Sequence, residues 1–464
     1  MHVGLRTWSG RLVARPWLLA FVPLNAATAG FGVVLPLLIL ISLRGGWAEV
    51  AVAATLFNAA VILSSVLWGH LSDRYPRRRL FLAVNYLAFA GVYALLAHVG
   101  SVYELYALYT MLGAVSPAGV SASNLLILEK FGESERATAF ASFQEMAMIG
   151  SLAGLLLGFF WTASADALRT FLYVLAGLAA ASAAALWFGI SEGPSPQTTA
   201  SVARHPESLF SRLRPFIGLR NPIPFFPRRP PWRPRPIARF RAWATEELHH
   251  ELPLILVATF LFNVAANLFN ISYTPYLYTA GLAASSIFLV NLGNNFVQTL
   301  VFPTTGTLAN RLGVDRLVGR ASYVRSLGYL ATAGFTFVAL ARGEVLGANV
   351  LVYGVLGGAI AVYTTASTLM LFRSLGPRDP GRLLGVNSAL GGVAAVAGAG
   401  LSGVLALVGS FRLVFLVSAA ILLVSIPLWA AATVAYERRH RPGLPASSSV
   451  GVGPASGHNA HRER

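Results

Sequence analysis

Cysteine is absent from this 464-residue sequence, and charged residues are scarce. Without cysteine the chain has no disulfide, no thiolate metal ligand and no cysteine nucleophile. Charged residues make up 11% of the chain, whereas soluble domains carry about 25%. Apolar residues make up 55%. This composition excludes an ordinary soluble protein and predicts a protein that lies largely within a membrane.

Signatures of enzymes are also missing. The sequence has no His/Asp/Glu cluster with metal-ligand spacing, no Gly-x-Ser-x-Gly nucleophile elbow and no phosphate-binding P-loop. The ionisable residues expected at membrane depth are too scattered to form a catalytic pair. We therefore expect no enzymatic activity, no metal and no cofactor, apart from an ion or proton gradient that could drive a process across the membrane.

What the chain does contain is long apolar runs. A spanning helix needs about 20 mostly apolar residues, and twelve runs meet that length. They cover about 17–41, 48–69, 80–99, 103–127, 138–162, 168–190, 253–275, 283–307, 317–340, 345–371, 383–408 and 411–435. The predicted fold class is therefore all-α, a polytopic membrane protein with twelve transmembrane helices.

A polar stretch divides these helices into two sets of six. The predicted domains are an N-terminal bundle (1–190), a Pro/Arg-rich central loop (191–252), a C-terminal bundle (253–436) and a disordered tail (437–464). Proline runs in the central loop favour extended conformations. The loop is either a plain connector or, through Trp232, Trp243 and its arginines, a contact with anionic lipid headgroups.

The net charge of +17 could indicate a nucleic-acid ligand. However, the basic residues stand in short clusters between apolar runs, and 31 of the 35 lie on the side that holds both termini. Without the long central loop the ratio is still 21 to 4. Basic residues concentrate in cytoplasmic loops. We therefore expect a multi-pass protein of the cell membrane with both termini in the cytoplasm, and no nucleic-acid partner.

The most distinctive motif lies between the second and third apolar runs, where residues 69–80 read Gly-His-Leu-Ser-Asp-Arg-Tyr-Pro-Arg-Arg-Arg-Leu. It resembles the loop between the second and third helices of the major facilitator superfamily, Gly-x-x-x-Asp-Arg-x-Gly-Arg-Arg. Pro76 replaces the family's second glycine. The matching residues are Gly69, Asp73, Arg74, Arg77 and Arg78. A weaker copy with Gly306, Asn310 and Arg311 follows 237 residues later, with Asn310 in place of the acid.

The resemblance implies two six-helix bundles that rock about a midplane site. It also implies that Asp73 contacts the start of the eleventh helix and holds the cytoplasmic side closed, because a helix N-terminus favours a carboxylate. Arg77 would then pair with Glu129. The alternative is that these residues only anchor the loop at the membrane surface.

Amide side chains form stripes on two of the C-terminal helices. On the seventh helix they recur at i, i+4 and i+7, which places them on one helix face. They either bind helices together or line a water-filled cavity that receives a solute. The candidate substrate-binding residues are Asn25, Asn124, Asn263, Asn267, Asn270, Asn291, Asn294, Asn295 and Gln298.

One acid is expected near the bilayer centre. Glu145 lies well inside the fifth apolar run, where an ionisable residue is costly and indicates function. It is the candidate for proton coupling or for binding a cationic substrate; the alternative is a structural acid. Arg325 is expected about one turn from the cytoplasmic surface, where its guanidinium can snorkel to water. Gly150, Gly154 and Gly158 are expected to form a packing surface.

Together these features predict a monomeric permease for a small polar or weakly cationic solute. The expected partners are that solute and the lipid bilayer. A drug-efflux antiporter of the same fold is the first alternative, although an acid in the first helix, frequent in such exporters, is absent. A transport-inactive receptor or scaffold is the second.

Overall fold

In the computed structural model the described residues are 16–74, 78–130, 133–162, 167–189, 251–338, 341–373 and 380–440. These ranges are almost entirely helical and contain no strand. They form twelve helical segments in two bundles of six. Residues 191–250 of the central loop and the last 24 residues lie outside the described ranges, whereas Leu252, the last residue assigned to the loop, begins a helix.

The N-terminal bundle contains six segments. The first, α1, joins a 3₁₀ turn (Pro16–Phe21), an α-helix (Val22–Leu37) and a π turn (Leu38–Ser42). The others are α2 (Trp47–Arg74), α3 (Arg78–Leu96), α4 (Val102–Lys130), α5 (Glu133–Trp161) and α6 (Ala167–Gly189).

The C-terminal bundle repeats this plan. Its second segment, α8, joins Ala284–Val301, a 3₁₀ turn at Phe302–Thr304 and Thr305–Leu312, and Pro303 lies in the turn. The other segments are α7 (Leu252–Thr279), α9 (Val314–Phe335), α10 (Arg342–Arg373), α11 (Pro380–Leu407) and α12 (Phe411–His440). Gly313, with φ of 83°, forms the sharp turn between α8 and α9.

The two bundles have the same internal packing. In the first, α1 packs on α5 and α6, α2 on α4, and α3 on α4 and α6. In the second, the equivalent pairs are α7 with α11 and α12, α8 with α10, and α9 with α10 and α12. Between the bundles the main contacts are α2 with α11 and α5 with α8, which are again equivalent pairs. The prediction of two related six-helix bundles is confirmed.

Several helices run further than the apolar pattern predicted. The α2 helix continues through Asp73 and Arg74, so the backbone of this part of the motif is helical rather than a loop. The α5 helix begins at Glu133 and α12 ends at His440, inside the stretch expected to be a disordered tail. Hydropathy finds where a helix enters lipid, whereas backbone hydrogen bonding continues into water beyond that point.

Nine of the described helices are long and apolar enough to cross a membrane by themselves. The three that fall below this criterion are α4, α8 and α9. Each carries polar groups within the bundle: hydroxyls on α4, the amide stripe on α8 and Arg325 on α9.

Candidate functional site

A cavity of about 270 Å³ lies within the N-terminal bundle, between α1, α3, α4 and α5. Its polar lining consists of neutral amides and hydroxyls, and its apolar lining is mainly aromatic. The polar residues are Asn25, Thr28, Asn85, Ser116, Ser123 and Gln144. The aromatic residues are Phe21, Tyr86, Phe89 and Phe143. No charged side chain is among the described residues of the wall.

Two amides are held in fixed orientations at this cavity. Asn25 donates from Nδ2 to the carbonyl of Phe21 at 2.8 Å, and Asn85 donates from Nδ2 to the carbonyl of Val115 at 2.8 Å. No described residue donates a hydrogen bond to the side-chain oxygen of Asn25 or of Asn85. Both amides therefore keep an acceptor and a second N–H for a ligand.

A glycine on α4 makes room for one of these amides. A Cβ atom at Gly119 would collide with the side-chain amide of Asn85. Gly119 also accepts a hydrogen bond from the Ser123 hydroxyl at 2.8 Å. Glycine at this position therefore allows α3 to present its amide directly to the cavity.

Sequence reasoning found only part of this cavity. Asn25 was predicted and lines the wall. The side chain of Asn124, also predicted, lies outside the described residues. Asn85, Ser116 and Gln144 were missed because none of them belongs to a stripe of amides along one helix. Periodicity identifies a stripe on one helix, whereas this wall takes a few residues from each of four helices.

The predicted amides of α7 bond mainly within their own helix. Asn263 donates to the carbonyl of Thr259 at 2.9 Å, and Asn267 donates to that of Asn263 at 2.9 Å. Both side chains are half-buried, and Asn270 is exposed. Each bond uses one of the two N–H donors of its amide and does not join α7 to another helix.

The predicted amides of α8 divide into two kinds. Asn291 and Asn295 donate to carbonyls one turn earlier on α8, at 2.9 and 3.1 Å. Asn294 instead donates to the carbonyl of Tyr353 on α10 at 2.7 Å, and therefore joins two helices. Gln298, the last member of this stripe, is half-buried.

Glu145 lies on the side of α5 that approaches the other bundle. It is twelve residues from the start of α5, which corresponds to a distance of about 18 Å along the helix axis from Glu133. Met148, one turn further along the same face, contacts Thr299 of α8 at 3.7 Å. Glu145 is half-buried, and no hydrogen bond or ion pair reaches its carboxylate from the described side chains. Those residues also contain no cluster that could hold a metal ion.

Few of the motif residues are fully described. Arg77 lies outside the described residues, as do the surroundings of Gly69, the side chains of Asp73, Arg74, Glu129 and Asn310, and the contacts predicted for them. Arg78 is described and buried, with 8% of its surface exposed. Gly306 and Arg311 are exposed on the last part of α8.

The two bundles meet closely at the face opposite the chain termini, which we call the distal face. Trp47 of α2 donates its indole N–H to Ser402 of α11 at 3.1 Å and stacks on Phe411 with centroids 4.4 Å apart. On the other flank Phe288 of α8 packs against Phe171 of α6, and a Cβ at Gly158 of α5 would collide with it. These contacts close the distal face.

Arg325 does not lie where the sequence predicted. Since α9 begins at Val314, Arg325 is eleven residues, or three turns, inside the helix, and only 5% of its surface is exposed. It contacts Phe262 and Tyr329 instead of water. The expectation of a snorkelling arginine is wrong, because the side chain lies in the bundle interior rather than on a lipid-facing surface.

The glycine stripe of α5 is a packing surface, as predicted. A Cβ at Gly150 would collide with the Val22 carbonyl of α1, and one at Gly154 with the Ala26 carbonyl. These glycines therefore let two helix backbones approach one another.

Comparison with known families and structures gives a consistent result. The family model of the Major Facilitator Superfamily matches residues 17–318 and 255–456, which together span most of the chain. No curated protein matches the sequence.

Several solved structures share the fold at low sequence identity. The nucleoside transporter NupG is 13% identical, with a TM-score of 0.67, over 91% of this chain and 98% of its own. A D-xylose-proton symporter is 15% identical (TM-score 0.62; 91% and 97% covered). A bacterial homolog of the human lysosomal transporter Spinster, in an inward-facing and occupied conformation, is 12% identical (TM-score 0.64; 92% and 98% covered).

Proposed function

The chain belongs to the major facilitator superfamily, and we propose that it is a secondary transporter of a small polar solute that is uncharged or weakly cationic. The solute binds in the cavity of the N-terminal bundle, and the amides of α7 and α8 complete the site from the other bundle. Transport proceeds by alternating access, as the two bundles tilt against one another.

The neutral, amide-rich wall of the N-terminal cavity is the observation that carries this proposal. Amide and hydroxyl groups offer both donors and acceptors, which suits a ligand with hydroxyl, amide or ring-nitrogen groups. The aromatic residues offer flat apolar surfaces beside them. A fully charged ligand would find no described counter-charge in this wall, and a desolvated charge is costly without a partner.

The fold neighbours are compatible with this solute class. Two of them, by their titles, carry nucleosides or D-xylose with a proton, and both solutes are polar and rich in hydroxyls. At 13–15% identity these likenesses support the fold, while the choice of solute depends on the residues of this cavity.

Proton coupling is assigned to Glu145. This carboxylate lies near the middle of a 29-residue helix and beside the contact between α5 and α8. Its surroundings change when the bundles tilt, because α5 and α8 belong to different bundles. A carboxylate that binds a proton in one arrangement and releases it in the other couples the proton gradient to movement of the solute.

The arginine distribution supports a location in the cell membrane with both termini in the cytoplasm. On this orientation the distal face, where the two bundles contact one another, is external. The natural absence of cysteine makes this simple to test. In intact cells a membrane-impermeant maleimide should label Ser101→Cys, at the distal face, and not Ser447→Cys in the tail; the reverse pattern would invert the topology.

The solute itself can be found with the purified full-length protein. Thermal unfolding would be screened against sugars, nucleosides, amino acids and cationic dyes, and stabilising compounds tested for uptake into proteoliposomes. We expect a polar, uncharged or weakly cationic compound to stabilise the protein, and Asn85→Ala to weaken that effect at least tenfold. Asn58→Ala is the matched control, because Asn58 bonds to the Ala54 carbonyl of its own helix and is not among the residues that line this cavity. Binding without any uptake would instead indicate a receptor.

A further inference from the structure

Arg325 occupies a chemically unusual position in the C-terminal bundle. Its Nε donates to the hydroxyl of Tyr329 at 2.6 Å. The guanidinium carbon lies 5.3 Å from the ring centroid of Phe262 on α7 and 5.4 Å from that of Tyr329. The guanidinium therefore contacts aromatic rings of two helices, and Phe262 in turn stacks on Tyr363 of α10 with centroids 3.3 Å apart.

The positive charge of Arg325 has no described carboxylate partner. The described residues form an ion pair between Asp315 and Arg373, whose charged atoms are 4.0 Å apart. Both side chains are partly exposed, and neither of these two residues contacts Arg325. Aromatic faces attract a guanidinium, but they compensate only part of the cost of removing it from water. A buried arginine in such surroundings favours an anion beside it.

The same cluster has hydrogen-bond donors in excess of acceptors. A guanidinium carries five N–H donors and no acceptor, and a single one of these is used in the described bonding. The Tyr329 hydroxyl accepts that bond, which leaves its own proton free to donate. The Tyr363 hydroxyl is buried, and it forms no hydrogen bond of good geometry with any described residue. Buried donors are normally paired, so this grouping indicates a ligand that supplies acceptors.

We propose that Arg325, Tyr329 and Tyr363 form a binding subsite for a small monovalent anion in the C-terminal bundle. A carboxylate fits best, since its two oxygens match the planar fork of the guanidinium and can accept from both phenols. The carboxylate is a separate ion from the uncharged or weakly cationic solute. The subsite is distinct from the neutral cavity of the N-terminal bundle and does not depend on which solute that cavity takes.

The test measures binding of acetate and of chloride to the purified full-length protein. Thermal unfolding is followed as each sodium salt is added, with sodium isethionate, a larger sulfonate, keeping ionic strength constant. A ligand that binds the folded state alone raises the unfolding temperature in a saturable way. We expect such a rise with acetate. A rise with acetate alone identifies a carboxylate site, and an equal rise with chloride identifies an inorganic-anion site; no saturable rise with either overturns the proposal.

Three variants connect the response to this subsite. Arg325→Gln should raise the half-saturating acetate concentration at least tenfold, and Arg320→Gln, an exposed arginine on the same helix, should leave it unchanged. Tyr363→Phe keeps the stacked ring, removes the hydroxyl and should raise that concentration severalfold.

If Arg325→Gln does not fold, the acetate response of Tyr363→Phe still tests the subsite. An unaltered acetate response in Tyr363→Phe would overturn the assignment of its hydroxyl, and an unaltered response in Arg325→Gln would overturn the subsite. Since the assay needs no transport, a negative result leaves the proposed function untouched, and a failure of the solute screen leaves this subsite untouched.

Discussion

Trp47 and Ser402, 355 positions apart in the sequence, are joined by a hydrogen bond of 3.1 Å that connects the two bundles at the distal face. Ser402 is also within 2.8 Å of the Ser272 hydroxyl on α7. The three side chains form a small polar chain across α2, α11 and α7. Because this chain crosses the boundary between bundles, it contributes to the closed distal face and must break when that face opens.

Removal of this bond should favour opening. Trp47→Phe keeps an aromatic ring against Phe411 and removes the indole N–H. A neutral hydrogen bond contributes about 0.5–1.5 kcal/mol, so the open population should rise about 2- to 12-fold. Spin labels at Glu104→Cys and Ser410→Cys, in the naturally cysteine-free chain, would report the distance across the distal face. Trp161→Phe is the control, since its bond to Thr170 at 3.2 Å stays within one bundle; equal shifts in both variants would contradict a gating role.

Glu145→Gln should uncouple the transporter. The amide has nearly the same shape but cannot release a proton, so solute-driven acidification of proteoliposomes should fall at least tenfold while exchange of solute for solute continues. A pH-sensitive dye inside the vesicles measures the proton flux. Glu344→Gln, an exposed acid at the start of α10, should behave as the unaltered protein. Proton flux that survives in Glu145→Gln would remove this residue from the coupling mechanism.

A single methyl group on the α5 glycine stripe should destabilise the N-terminal bundle. In Gly154→Ala the new Cβ collides with the Ala26 carbonyl, which is backbone and cannot turn aside. Such overpacking costs about 1–3 kcal/mol. Gly177→Ala is the matched substitution on α6, where a Cβ meets nothing within 4 Å, and alanine there should be neutral or stabilising by about 0.5–1 kcal/mol. Thermal unfolding of both variants in the same detergent decides the comparison, and similar stabilities would contradict the role of Gly154.

Loss of the two kinds of amide on α8 should have different effects on stability and on solute affinity. Asn294→Ala loses the bond to the Tyr353 carbonyl and should cost about 0.6 kcal/mol of stability, while transport is largely kept. Asn291→Ala loses only a bond within its helix and should reduce solute affinity while stability is kept. Unfolding temperature and uptake would be measured for both. An unchanged affinity in Asn291→Ala would indicate that this stripe does not contact the solute.

The number and grouping of the helices were readable from the sequence because a lipid environment imposes a simple rule. Every spanning segment must be about 20 apolar residues long, and only helices satisfy their own backbone there. The glycine stripe of α5 was readable for a similar reason, since its spacing follows from the geometry of a single helix. The surroundings of Arg325 were predicted wrongly because they depend on which side of α9 packs against α7, and hydropathy is insensitive to that rotation.

By itself the sequence determined the class of the protein, the division into two bundles and the candidate acid at Glu145, because each depends on the pattern along one segment. Only the tertiary structure decided which lone polar residues meet in the N-terminal cavity, that Trp47 reaches Ser402, and that Arg325 lies among aromatic rings without a described acid beside it. The physical reason is that these relationships depend on the rotation and depth of each helix against its neighbours. Rotation and depth are set by close packing between helices, and they leave no periodic pattern in the sequence of any one helix.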